Sequence, residues 1–178
     1  IRIITSARRK KTVSARIVDG AIEIRMPEGL SARDRDHHVS TLVAKLDRQR
    51  QASRIDLTHR AAELAKVHAL PHPGSITWSS RQNTRWGSCT PTTGSIRVSE
   101  RLARFPTWVL DYVIVHELAH LVEPNHSPAF HALVRRYSAA ERAEGFLAAV
   151  SLGHAGRLSA QPSDDRCIDS GEIDGSIA

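Results

Sequence analysis

The 178-residue sequence predicts an α+β fold in which a small, mostly antiparallel sheet packs on helices. Three observations predict it: a hairpin signal around Asp19-Gly20, a helix-periodic span over 32–70, and a run of short strand patterns leading into an apolar helix after Pro106. The length suits one domain over 1–150, made of a hairpin part (1–30), a helical part (32–70) and a sheet-and-helix part (75–147). A mobile tail is expected over 153–178, where Gly, Ser, Asp and Pro predominate and large apolar residues are few.

Taken in order, VSARIV (13–18) and AIEIRM (21–26) alternate apolar and polar residues on either side of Asp19-Gly20, a pair suited to the positive backbone angles of a tight turn. Pro27 and Gly29 close this hairpin. From Ala32 to Leu70, apolar residues such as Val39, Leu42, Val43 and Leu46 recur three and four apart, which predicts two helices or one long bent one. Pro71, Pro73 and Gly74 end that span.

SITWSSR (75–81) reads as a short strand, TRWGSC (84–89) as strand or tight turn, and GSIRVS (94–99) as a strand following a Pro91–Gly94 turn. Pro106 can open the next helix, since the first turn has no use for its missing N–H. Trp108 to Val122 continues apolar around nearly the whole circumference, so the helix is buried on most sides. Pro124-Asn125 ends it, and Ser127-Pro128 forms a cap and first-turn pair for a helix through Tyr137 that can reach Leu147. Trp78 and Trp108 are expected to pack the sheet against the helices.

The charge is +6, with 14 basic and 7 acidic side chains in residues 1–60 and near balance afterwards. Arg8, Arg9, Lys10 and Lys11 could steer a nucleic acid or act as a solubilising surface, and aromatic residues are only 4%, against an RNA-stacking surface. No stretch holds 18 uninterrupted apolar residues and no secretory signal is visible, so no membrane association is expected. Two cysteines, Cys89 and Cys167, make neither a disulfide framework nor a Cys-built metal site. A cytoplasmic location is the resulting expectation, and the oligomeric state is not legible.

Chemistry concentrates in HELAH at 116–120. His116 and His120 stand four apart, so both imidazoles project from one helix face and can meet a single zinc ion. Glu117 sits where a carboxylate can take a proton from water and later deliver one to a leaving group. With ten histidines and nine glutamates, H-E-x-x-H would arise by chance only about 0.03 times in a chain of this composition.

A catalytic zinc commonly has three protein ligands and one open position. His126, just past the Pro124-Asn125 break, is the candidate third ligand, because a turn can bring it back over the helix face. Glu123, Glu141 and Glu144 are alternative carboxylate ligands, while His131 reads as a surface or hydrogen-bonding residue. Tyr112 and Tyr137 are candidate oxyanion donors, against a reading of Tyr112 as an ordinary packing residue, which is preferred, and of Tyr137 as a cap on the core. A fourth protein ligand would close the site to water, so Cys89 is expected to be a small buried residue.

TRWGSC at 84–89, GSIRVSERLARFP at 94–106 and DYVIVHELAHLVEPNHSPAF at 111–130 together resemble the YgjP-like metallopeptidase-domain family, which is related to the SprT-like and minigluzincin zinc peptidases. The resemblance is strong over 75–137 and looser before Pro71, where LDRQRQ (46–51) replaces a tryptophan-bearing segment. It implies a minigluzincin-like HExxH helix, with His116, His120 and His126 as zinc ligands and Glu117 as the catalytic glutamate. The ligand spacing also suits metzincins, but those carry glycine where Glu123 stands and a methionine turn, whereas the single methionine here is Met26.

Arg85, Trp86, Gly87, Ser88 and Cys89 resemble family signature residues. Arg85 could offer a cation to substrate or pair with a carboxylate, and Trp86 could wall a cleft or fill the core. The expected function is a zinc-dependent hydrolase, foremost a metallopeptidase acting on peptides or proteins through an edge strand. The alternatives are a metal-dependent nucleoside triphosphate hydrolase, a nucleic-acid-associated SprT-like protein-processing module, and a zinc-stabilised binding module without turnover.

Overall fold

The computed structural model describes residues 1–158. Among these residues, two three-stranded sheets and five α-helices make an α+β arrangement. The first sheet holds β1 (Arg2–Ser6), β2 (Ser14–Val18) and β3 (Ala21–Pro27) in the order β1-β3-β2. Asp19 (φ 50°) and Gly20 (φ 77°) both take the left-handed backbone that the two-residue hairpin turn demands. β3 buries Ile24 and Met26 on one face, and on the other Glu23 accepts from Arg16 Nε (2.9 Å) and Arg25 Nε (2.8 Å).

The expected helical span is two helices, α1 (Ala32–Ala52) and α2 (Leu57–Val67). Each starts on a side-chain cap: Ser31 Oγ accepts from Asp34 N at 3.1 Å, and Asp56 Oδ1 from His59 N at 3.0 Å. Between α1 and the first sheet, Val39, Val43, Ile17 and Ile22 line a groove of about 860 Å³ that no residue of the histidine-bearing helix reaches.

The second sheet contains β4 (Ser75–Ser79), β5 (Gly87–Thr90) and β6 (Ser95–Ser99), in the order β4-β6-β5. Here the expectation of one mostly antiparallel sheet is corrected. There are two sheets, and each pairs one parallel and one antiparallel neighbour: β1 and β4 run parallel to β3 and β6. The alternation of apolar residues sets which face is buried, but pairing direction depends on where a distant strand joins, and β1 carried no turn signal to announce it.

A 3-10 turn over Glu100–Arg104 leads to α3 (Thr107–Ala119), with Pro106 at its N-cap. Val109, Ile114, Val115, Leu118 and Ala119 are fully or almost fully buried, so α3 is the axis of the core, as its apolar circumference predicts. Truncating one such side chain, for example Leu118, would cost about 2–5 kcal/mol. Trp78 and Trp108 both pack against this core.

The helix predicted from Pro128 towards Leu147 is instead two, α4 (Pro128–Val134) and α5 (Ala140–Leu158). Ala139 and Ala140 preserve helical propensity across the break, which hides it from a periodicity reading. α5 continues past residue 153, and the expected tail otherwise lies outside the described residues. No helix among the described residues is long and apolar enough to cross a membrane.

Candidate metal centre

The last turn of α3 presents His116, and His120 is its C-cap, with φ −65° and ψ −16°, still near-helical. The four-residue step therefore keeps both rings on one side, 5.0 Å apart between centroids. Two residues beyond Pro124 the chain returns His126 over them, 5.2 Å from the His116 ring and 4.8 Å from the His120 ring. Ser127 then caps α4, accepting from Phe130 N at 3.2 Å, and the buried Phe130 ring forms a floor beneath all three imidazoles, 4.4–4.8 Å from each.

One ligand atom from each histidine lies within 4.8 Å of the others. The Nε2 atoms of His116 and His126 are 3.3 Å apart. Two nitrogens each ~2.0–2.1 Å from a tetrahedral zinc would stand ~3.3–3.4 Å apart, so this pair fits the ion. His120 Nδ1 donates to the Glu123 carbonyl at 3.2 Å, which leaves Nε2 free as a ligand and fixes the ring plane. Burial pushes the His116 imidazole down to about 3, with the neighbouring histidines adding to the effect, so its lone pair is available at neutral pH. Burial lowers His120 as well.

Glu117 points to a different side of α3, buried to 5% exposure and without a hydrogen bond among the described residues. Burial pushes its carboxyl up to about 8, and only the positive charge of Arg85 opposes this. Strand β5, at the edge of the second sheet, lies against α3 and brings Gly87 onto this carboxylate. A Cβ at position 87 would fall 2.8 Å from Glu117 Cγ and Cδ and nearer still to Oε1, so any side chain there would push the Glu117 carboxylate from its place.

The loop before β5 is tied down by its own carbonyls and by the base of β6. Ser99 N donates to Trp86 O (2.9 Å), Ser99 Oγ to Gln82 O (2.9 Å), Gln82 Nε2 to Ser88 Oγ (2.7 Å) and Arg101 Nη1 to Asn83 O (2.5 Å). The Arg101 guanidinium also stacks 3.9 Å over the Trp86 ring, whose other neighbour is Phe105.

The remaining sequence candidates fall as follows. Glu123 contributes its carbonyl, not its carboxylate, and Glu141 and Glu144 do not join the histidine cluster. Glu144 instead accepts from Tyr112 Oη at 2.9 Å, and the Tyr112 ring stands edge-on to His116 at 5.9 Å. Tyr137 donates to Trp108 O at 3.1 Å, which makes it a packing residue. His131 is exposed, 6.4 Å from the His126 ring. Cys89 packs against the core, and burial together with the charge of Glu117 pushes its thiol up to about 11. Sequence reasoning missed two relationships, Gly87 against Glu117 and Tyr112 on Glu144. The signal for the first was a glycine between Trp86 and Ser88 in a strand pattern.

Three imidazoles with no fourth protein ligand among the described residues, beside a buried carboxylate, have the chemistry of a metal-binding, hydrolase-like protein. A family model described as YgjP-like, metallopeptidase domain, matches residues 30–143, and the chain belongs to that family. The match takes in α1 to α4 and the whole second sheet, and leaves the first sheet outside it. Searches of curated proteins and of solved structures give no significant match.

Proposed function

We propose that the chain is a zinc-dependent peptidase in which His116, His120 and His126 hold one zinc ion and Glu117 is the general base. The observation that carries this reading is the convergence of three imidazole ligand atoms one residue along the helix from a buried, unpaired carboxylate. The succession of a small sheet, the HExxH helix, a turn bearing the third histidine and a further helix supports a minigluzincin-like arrangement. When bound, zinc supplies Lewis acidity, polarising a peptide carbonyl and making water easier to deprotonate.

Glu117 takes one proton from that water as its oxygen bonds to the carbonyl carbon. It returns the proton to the amide nitrogen as the C–N bond breaks, leaving a free carboxyl and a free amine. Burial raises the proton affinity of the Glu117 carboxyl and the charge of a bound zinc ion would oppose that rise, so one group is suited both to take up the proton and to release it. Gly87 excludes a side chain from the space that Glu117 needs, and Phe130 holds the three imidazoles in a fixed plane relation.

The test is Glu117→Gln. The variant should bind one zinc per chain and lose peptide hydrolysis, and a fully active variant would overturn the assignment. Running peptide and nucleoside triphosphate panels in parallel on the zinc-loaded protein separates this reading from nucleotide hydrolysis.

A further inference from the structure

Arg85 is an exposed cation on a fixed stem. The residues around it are clamped through Asn83 O, Gln82 O, Trp86 O and the stacked Trp86 ring. Its own guanidinium makes no hydrogen bond or ion pair among the described residues. Two residues on, Gly87 abuts the Glu117 side chain, and the positive charge of Arg85 acts on that carboxyl, so Arg85 lies on the segment that leads into the Glu117 contact.

Glu117 does not satisfy this cation, since no ion pair joins them. Near Glu117, the Tyr112 hydroxyl is engaged with Glu144 and the three imidazoles face one another. An unpaired guanidinium on a clamped stretch of backbone, two residues before an edge strand that meets Glu117, is placed to receive a carboxylate from outside.

We propose that Arg85 determines specificity by pairing with a carboxylate of the peptide substrate close to the bond that is cut. The proposal rests on the peptidase reading. The carboxylate is either an acidic side chain or the free carboxyl terminus of a short peptide, and the experiment distinguishes these.

Peptides in which the scissile amide is reduced to an uncleavable CH2–NH link, amidated at the C-terminus and carrying Glu, Gln or Lys beside that link, are titrated against zinc-loaded wild type and Arg85→Glu by fluorescence anisotropy. A fourth peptide carries Gln and a free C-terminus. The wild type should bind the Glu peptide about three- to tenfold more tightly than the Lys peptide, as expected for a partly exposed ion pair. Arg85→Glu should invert that order and leave the amidated Gln peptide unchanged. If the terminal carboxylate is the partner, the free-acid peptide shows the gain and the inversion instead.

Equal affinities on the wild type, an order that Arg85→Glu leaves intact, or no binding of any peptide would overturn the proposal. If Arg85→Glu fails to fold, as judged by circular dichroism, Arg85→Gln replaces it, with loss of the preference expected and its retention counting against. Ordinary-amide versions of the same peptides report cleavage separately. Charge-selective binding without cleavage would count against the peptidase reading and leave Arg85 as a carboxylate-binding residue only.

Discussion

Gly87 on the edge strand and Glu117 on the core helix meet so closely that a single added methyl group would lie 2.8 Å from the Glu117 Cγ and Cδ atoms. The crowded partner is a side chain, so Gly87→Ala should be absorbed by rotation of Glu117 rather than by unfolding. Displacing a general base by about 1 Å can cost on the order of 100-fold in rate. Gly87→Ala should therefore keep zinc binding and a melting temperature within a few degrees of wild type while kcat falls by at least tenfold. Steady-state kinetics beside a thermal melt would show this, and an unimpaired kcat would mean that Glu117 has no fixed position to lose.

His126 is the most exposed of the three clustered histidines and the one held on a turn rather than on α3. Its removal leaves His116 and His120 in place, because their geometry is set by the helix and by the Phe130 floor. His126→Ala should weaken zinc binding by at least about 10- to 100-fold, the range already seen for losing a mere supporting partner of a ligand. Competition with a chromophoric chelator measures it. The same zinc should raise the melting temperature of wild type in a concentration-dependent way, and a strong chelator should reverse that rise.

The histidine pair was legible because its information is local: a four-residue step on an apolar helix fixes two side chains on one face whatever the rest of the fold does. The position of His126 followed from the helix-breaking Pro124-Asn125, again a local signal. What escaped was non-local or disguised. Nothing in RIITS (2–6) states that it will lie parallel to β3, and nothing in SITWS (75–79) states that β6 will come between it and β5. The pairing of Tyr112 with Glu144 spans 32 residues and depended on where α5 begins, which the alanines at 139 and 140 concealed. Gly87 stood out as one of the residues that resemble the family signature, but the atom it makes room for lies 30 residues away on another element.

Glu23, on the central strand of the first sheet, gives a pH dependence separable from the metal centre. Burial alone would raise its carboxyl, but hydrogen bonds from Arg25 and Arg16 outweigh it and hold the group below its ordinary 4.5. The folded state thus releases this proton more readily than the unfolded chain. The stability it contributes is present above the ordinary value and is lost as pH falls through the lower folded value. Glu23→Gln should remove this component, flattening the decline of melting temperature with acid relative to wild type. Melts between pH 7 and pH 2.5 would reveal it, and parallel curves would show that the two arginines bind the neutral side chain just as well.

Arg60 on α2 and Asp111 on α3 form a two-pronged pair, Nε to Oδ1 at 2.7 Å and Nη2 to Oδ2 at 2.6 Å, and its two members are unequally placed. Asp111 is 4% exposed, whereas the Arg60 side chain is 36% exposed and also reaches Glu63. Hydrogen bonding to Asp111 accordingly holds the guanidinium firmly charged. Removing the arginine strands a carboxylate inside the protein, where an unpaired charge costs about 3–5 kcal/mol. Removing the aspartate leaves a cation that can swing out into water, at a cost nearer about 1–3 kcal/mol for the lost charged hydrogen bonds. Arg60→Ala should therefore be the more destabilising of the two single substitutions in urea unfolding. The double variant should fall short of their sum, since the second deletion removes the very charge that the first left unpaired. Additive losses, or a larger loss for Asp111→Ala, would show that the pair does not lock α2 onto the helix that carries His116.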